Sequence, residues 1–176
     1  MRLGFDERQV TELLGVTEHC RGLNKAALAL LLEDDQGPEQ PLLPYLPDNE
    51  INPQARQLLQ TIEEQETVRL GRAGIPKIWR ALCRNVHYLD ATWTKHSRLL
   101  AETEIDAPGK LAVGLAVSAN NGCRYFIRYF TAALIQAGWD SDNILEIIGV
   151  VDHYNSLNTI ASGMQIVSDI RPQDAE

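Results

Sequence analysis

The chain reads as all-α on three observations. Helix start signals recur ahead of apolar stretches, at Asn52-Pro53, at Asp106-Ala107-Pro108 and at Asp140-Ser141-Asp142. The apolar residues behind them fall at spacings of three and four, as in Ile78, Trp79, Leu82 and Val86. No segment alternates apolar and polar residues in the way a half-buried strand requires.

Taken in order, residues 6–33 predict two short helices. Asp6 is the N-cap of the first, Val10, Leu13 and Leu14 lie on its apolar side, and Leu23 through Leu32 form the second. Residues 34–49 carry Pro38, Pro41, Pro44 and Pro47. Prolines at a spacing of three remove backbone donors and fix φ, so this stretch predicts an extended surface linker, a commoner use of such composition than a recognition segment. Asn52 caps a helix that has Pro53 at its first position and runs to about Leu70. Gly71 and Gly74 end it. Helices follow over about Pro76–His87 and Leu89–Glu104, then from Asp106 to about Asn120. Asn120-Asn121-Gly122 is a turn signal. The next helix runs from about Cys123 to Ala137 and is closed by Gly138. Asp140 caps a further helix, residues 150–167 form the last, and the residues after Asp169 read as frayed. The expected division is a helical extension and Pro-rich linker over 1–50, a helical domain over 51–170 and a tail over 171–176.

The 176 residues are 44% apolar, enough to bury a sizeable core. The formal net charge is −8, from 24 acidic and 16 basic residues, which argues against nucleic acid or anionic membranes as main partners. The longest apolar runs, Ala26–Leu32 and Leu111–Val117, fall far short of the roughly 20 residues of a membrane span. The charged opening Met-Arg-Leu-Gly-Phe-Asp-Glu-Arg has no signal-peptide character. The odd count of cysteines, Cys20, Cys83 and Cys123, fits reduced thiols and a cytoplasmic setting. No His-x3-His pair and no Cys/His cluster is present, so no metal is expected. The glycines at 71, 74, 109, 114 and 122 do not follow a phosphate-cradling spacing, so no cofactor is expected.

The run from Leu111 to Leu134, LAVGLAVSANNGCRYFIRYFTAAL, resembles the centre of the alkylhydroperoxidase-D-like (carboxymuconolactone decarboxylase-type) family, in its peroxidase-related branch. In that family a small-residue helix ending in a Val-Ser-type sequence leads through Asn-Gly to a cysteine that opens the next helix. Ala132-Ala133-Leu134, Ala137-Gly138, the acidic cap at Asp140 and the cluster His153-Tyr154-Asn155 with Asn158 fit the same pattern. So do Pro76-Lys-Ile-Trp-Arg-Ala-Leu and Trp93. The resemblance covers about residues 70–167 and implies a helical bundle with the N-terminal extension added.

The resemblance also implies a functional set, and the chain departs from it. Peroxidase members of the family use a glutamate, a Cys-x-x-Cys pair and a histidine four residues after the second cysteine. Cys123 falls on the first cysteine, whereas Phe126 takes the place of the second, Phe130 that of the histidine, and Leu111, beside Lys110, that of the glutamate. In the family the second cysteine attacks peroxide. A dithiol cycle needs two sulfurs in bonding reach and a relay needs titratable groups, and neither phenylalanine nor leucine supplies these. Phe126, Phe130 and Leu134, at spacings of four, read as core or subunit interface.

Cys123 is the catalytic candidate. At a helix N-terminus the macrodipole favours thiolate, helped by Arg124 and Arg128; the alternative is a small buried packing residue. Arg124 and Arg128 also suit a bound anion or a salt bridge to a partner subunit. Tyr125, Phe126, Tyr129 and Phe130 are candidates for lining a family-type pocket, or for covering it. His153, with Glu146 two helical turns before it, is a candidate proton-transfer pair; a hydrogen-bonded core or interface histidine is the commoner outcome. His87 and His96 read as surface groups.

Two functions are compatible with this. One is a non-catalytic homo-oligomeric helical scaffold or small-molecule binder that has lost the family's Cys-x-x-Cys, Glu and His machinery. The alternative is a thiol-dependent antioxidant oxidoreductase that uses Cys123 alone with an external resolving thiol. Self-association, from dimer to hexamer, is implied by the resemblance, and the acidic surface would keep such an assembly soluble.

Overall fold

A computed structural model describes residues 4–32 and 41–169. These residues form seven α-helices and one short 3-10 turn: α1 Glu7–Ala29, the turn Asp48–Glu50, α2 Pro53–Leu70, α3 Lys77–Leu82, α4 Val86–Leu99, α5 Ala107–Asn120, α6 Arg124–Gln136 and α7 Ser141–Gly163. There is no strand among the described residues, and none of the helices is long and apolar enough to cross a membrane.

α1 is one helix where the sequence predicts two. Asp6 accepts the amides of Arg8 and Gln9, each at 2.9 Å, and Gln9 accepts the Asp6 amide in return, a capping box. Gly15 and Gly22 do not interrupt it, because Val16, Cys20, Leu23 and Ala27 form one continuous buried stripe across both. This stripe packs on α4, α5 and α6, so α1 shares a single core with the helices that follow.

The Pro-rich segment, from Pro41 on, is extended and tied down by three arginines. Arg84 Nε donates to the Pro44 carbonyl at 3.1 Å, Arg80 donates to Leu46 O at 3.3 Å and to Asp48 at 2.9 Å, and Arg56 donates to Asp48 O at 2.6 Å. Pro38 and residues 170–176, the expected tail included, lie outside the described residues.

α2 has the predicted bounds, with Asn52 accepting the Gln54 amide at 2.8 Å, Pro53 at its first position and Gly71 closing it at φ 65°. The next two helices divide earlier than their sequence suggests. Asn85 caps α4 by accepting the Tyr88 amide, so α3 ends at Leu82 and α4 opens at Val86. α5 is central, packed against α1, α6 and α7. Its small residues allow close approach: Phe130 of α6 lies so near Gly114 that an added Cβ would fall inside the ring's contact distance. The Asn-Gly-Cys turn is as the sequence predicts. Asn121 ends α5, Gly122 turns at φ 65°, and Cys123 is the N-cap of α6.

α7 corrects a second expected division. Gly149 does not break it, and the capping box of Asp140 with Asn143 opens one helix that runs to Gly163. It contains no buried residue. Ile144, Ile147 and Val151 are half-buried, while Leu145, Val150, Tyr154, Leu157 and Ile160 are exposed.

Candidate functional site

Cys123 sits at the start of α6 as expected, but its side chain is 1% exposed. Sγ faces the carbonyl of Asn24 at 3.7 Å. Asn24, fully buried on α1, also accepts from Ser118 Oγ at 3.2 Å. All three cysteines are buried and none is in a disulfide among the described residues. Burial pushes the Cys20 thiol up to about 12 and raises Cys83 as well, so neither is poised to attack.

The aromatics expected at a pocket wall lie in the core. Tyr125, Phe126, Tyr129 and Phe130 are all buried and packed on one another with ring centroids 5.1–5.8 Å apart. Tyr125 Oη accepts the Ile78 amide at 3.2 Å, which ties α6 to α3. Leu111 is buried in the core. Its neighbour Lys110 is buried too, held by Glu12 at 2.7 Å and Thr103 at 2.8 Å, which anchors α5 to α1. His153 and Glu146 are both exposed on α7, and seven residues put them about 10 Å apart along the axis, beyond direct proton transfer. His153 instead lies against Tyr154, with centroids 5.6 Å apart.

The densest chemistry lies elsewhere, in a buried polar cluster that joins four helices. His19 comes from α1, Glu66 and Arg69 from α2, His96 from α4 and Tyr129 from α6. His96, expected on the surface, is completely buried. Its Nδ1 lies 3.1 Å from His19 Nε2. On the other side of the ring, Nε2 lies 3.2 Å from Tyr129 Oη and 3.3 Å from Arg69 Nη1. Glu66 Oε1 is bonded to Arg69 and stands 3.8 Å from His96 Nε2. Trp79 and Trp93 close over the imidazole, with centroids 5.0 and 5.6 Å away.

Arginine only donates, and Arg69 Nη1 stands 3.3 Å from both His96 Nε2 and Tyr129 Oη beside its pairing with Glu66. Burial drives His19 down to about 3, helped by His96 and Lys95. Burial likewise lowers His96. For Glu66, burial acts to raise the carboxyl, but His96, Arg69 and Tyr129 outweigh it and hold the group low. Tyr129 is raised by burial and by Glu66. At neutral pH the cluster is one ion pair, Glu66–Arg69, capped by two neutral imidazoles and a protonated phenol. Glu66 Oε2 and Trp79 Nε1 have no protein partner among the described residues. The cluster presents no nucleophile; it is a hydrogen-bonded clasp that sets α1, α2, α4 and α6 in register.

With this geometry in place, the comparison with known families is decisive over the second half of the chain: residues 88–169 match the model of the carboxymuconolactone decarboxylase family. That stretch is similar to the carboxymuconolactone decarboxylase family. It takes in nearly all of α4 and the whole of α5, α6 and α7. This agrees with the alkylhydroperoxidase-D-like resemblance of the Val-Ser, Asn-Gly-Cys and Ala-Ala-Leu pieces. No curated protein and no solved structure matches the chain. The clasp straddles the boundary: His96 and Tyr129 belong to the carboxymuconolactone decarboxylase region, whereas His19, Glu66 and Arg69 come from the helices before it. No group of three or more metal-ligating side chains that could hold an ion occurs among the described residues.

Proposed function

We propose that this carboxymuconolactone decarboxylase-family chain is a self-assembling helical protein that keeps the fold without its thiol chemistry and offers a cleft to a small molecule. The observation that carries the reading is α7. A helix with this many large apolar side chains ordinarily buries some of them, yet α7 packs mainly on α5 and buries none of its 23 residues in the single chain. Leu145, Val150, Leu157 and Ile160 form an exposed apolar surface of the kind that marks a subunit interface. A second copy of the same chain, meeting it through a two-fold axis, covers such a face with itself. The net charge of −8 keeps the assembly in solution, and a reducing, cytoplasmic compartment suits three cysteines outside any disulfide.

The burial of Cys123 supports the loss of thiol chemistry, because a nucleophilic sulfur must reach its substrate. Phe126 and Phe130, at the positions of a second cysteine and a histidine, supply neither a resolving sulfur nor a proton acceptor.

Light scattering on the purified chain tests the reading. The wild type is expected to run as a dimer or larger, and Leu145→Asp with Leu157→Asp as a monomer of unchanged helicity. A wild type that is monomeric at tens of micromolar, or one that turns over hydroperoxide with a thiol reductant, overturns it.

A further inference from the structure

A cleft of about 320 Å³ lies between α1, α5 and α7. Its size is at the lower end of small-molecule sites. Arg21 reaches it from α1, Asn120 and Asn121 from the end of α5, and Tyr154, Asn155 and Asn158 from α7. Two sequence features not used by the clasp or the core meet here: the Asn-Asn-Gly turn and the Tyr154-Asn155 cluster with Asn158.

Three properties select the ligand. First, the lining contains a guanidinium and no carboxylate. In a chain of net charge −8 this is unusual, and three other clefts of comparable size each contain one: Asp90 between α2 and α4, Asp48 beneath the Pro-rich segment and Glu18 between α1 and α4. Second, Asn121 Nδ2 is shielded from solvent and has no protein partner among the described residues. A buried donor left unpaired is costly, and Asn121 is one of the residues that line the cleft. Third, Arg21 forms no salt bridge with any described residue, so its charge is not already committed to a protein carboxylate.

We propose that this cleft binds a small molecule carrying one oxyanionic group, a carboxylate or a phosphate, with Arg21 against the anion and the Asn121 amide donating to it. Asn155, Asn158 and Tyr154 hydrogen-bond the neutral part, and Val117 and Val151 flank it. Charge-assisted bonds of this type are the strong ones, and a planar guanidinium grips either oxyanion through two parallel bonds. The proposal deepens the binder part of the proposed function and rests on it.

The test is a titration of the ¹⁵N-labelled full chain with benzoate and with phenyl phosphate, using benzamide as the neutral counterpart. The side-chain amides of Asn121, Asn155 and Asn158 report on the cleft. Saturable shifts of these amides are expected with at least one of the anions, with benzamide about tenfold weaker or worse. Arg21→Gln, an exposed substitution, is expected to weaken the anion about tenfold while leaving helicity and assembly unchanged. The preferred anion distinguishes carboxylate from phosphate. Absent or non-saturating shifts, shifts centred elsewhere, or equal affinity in Arg21→Gln overturn the proposal. Light scattering on the same samples separates the two readings. An assembled protein that binds neither anion sinks only the cleft, whereas a monomeric one that binds sinks the scaffold and leaves the cleft.

Discussion

His19 Nε2 lies 3.1 Å from His96 Nδ1, two imidazoles from helices α1 and α4 that meet out of reach of solvent. Both are held neutral. His96 is faced by Glu66, Arg69 and Tyr129, and His19 by His96 and Lys95, which is itself paired with Glu18. A histidine whose folded pKa is depressed takes up its proton more readily in the unfolded chain. Its contribution is therefore complete above the ordinary value of 6.5 and is lost as pH falls from there toward about 3 for His19. Each such histidine tilts stability by up to about 1.4 kcal/mol per pH unit within that window. Glu66, also held low, acts in the same direction below its ordinary 4.5. Urea unfolding between pH 7.5 and 4.5 is expected to show steadily falling stability, with a shallower slope in His19→Phe. A flat profile, or an unchanged slope in the variant, contradicts the assigned protonation.

The Glu66–Arg69 pair predicts an asymmetry. Removing one buried partner leaves the other charge uncompensated, at a cost of about 3–5 kcal/mol, whereas replacing both with apolar side chains of similar size is much milder. Glu66→Leu is therefore expected to be more destabilised in denaturant titration than Glu66→Leu with Arg69→Leu. Equal losses, or a worse double variant, would show that the pair is not the buried ion pair described.

The contact between α5 and α6 depends on the missing side chain of Gly114. A methyl group there collides with the Phe130 ring, and overpacking of this kind costs about 1–3 kcal/mol. Gly114→Ala should lose that much, and Phe130→Leu in the same chain should recover part of it, a coupling visible in a double-mutant cycle. Strict additivity would show that the two residues do not press on each other.

Helix bounds were legible wherever a cap and a breaker agreed. Asn52-Pro53 with Gly71 located α2, and Asp106 with the Asn-Asn-Gly turn located α5. They were less legible over residues 6–33 and 141–163, where two helices are expected and one continuous helix forms. The clasp was missed because its members look like surface residues by type. Its signal is one of phase. Glu66 falls on the same stripe as Ala55, Leu59, Ile62 and Leu70, and His96 on that of Leu89, Trp93 and Leu100. A charged or titratable residue in register with an apolar stripe points inward whatever its type. The pairing of those stripes across four helices was not legible, because it is set by tertiary packing. Of the candidate site residues, the position of Cys123 at a helix start was readable from Asn-Gly-Cys, but its burial under Asn24 of α1 was not, since that partner lies 99 residues away.

The central proposal, that this chain works without thiol chemistry, rests on Cys123. Its most direct test is the alkylation rate of Cys123 in the native full chain with Cys20→Ala and Cys83→Ala, against free cysteine at the same pH. The account predicts a thiol far slower than free cysteine that becomes reactive only as urea opens the fold. A rate equal to or above that of free cysteine, rising already below neutral pH, would reveal an accessible thiolate and return the protein to the thiol oxidoreductases.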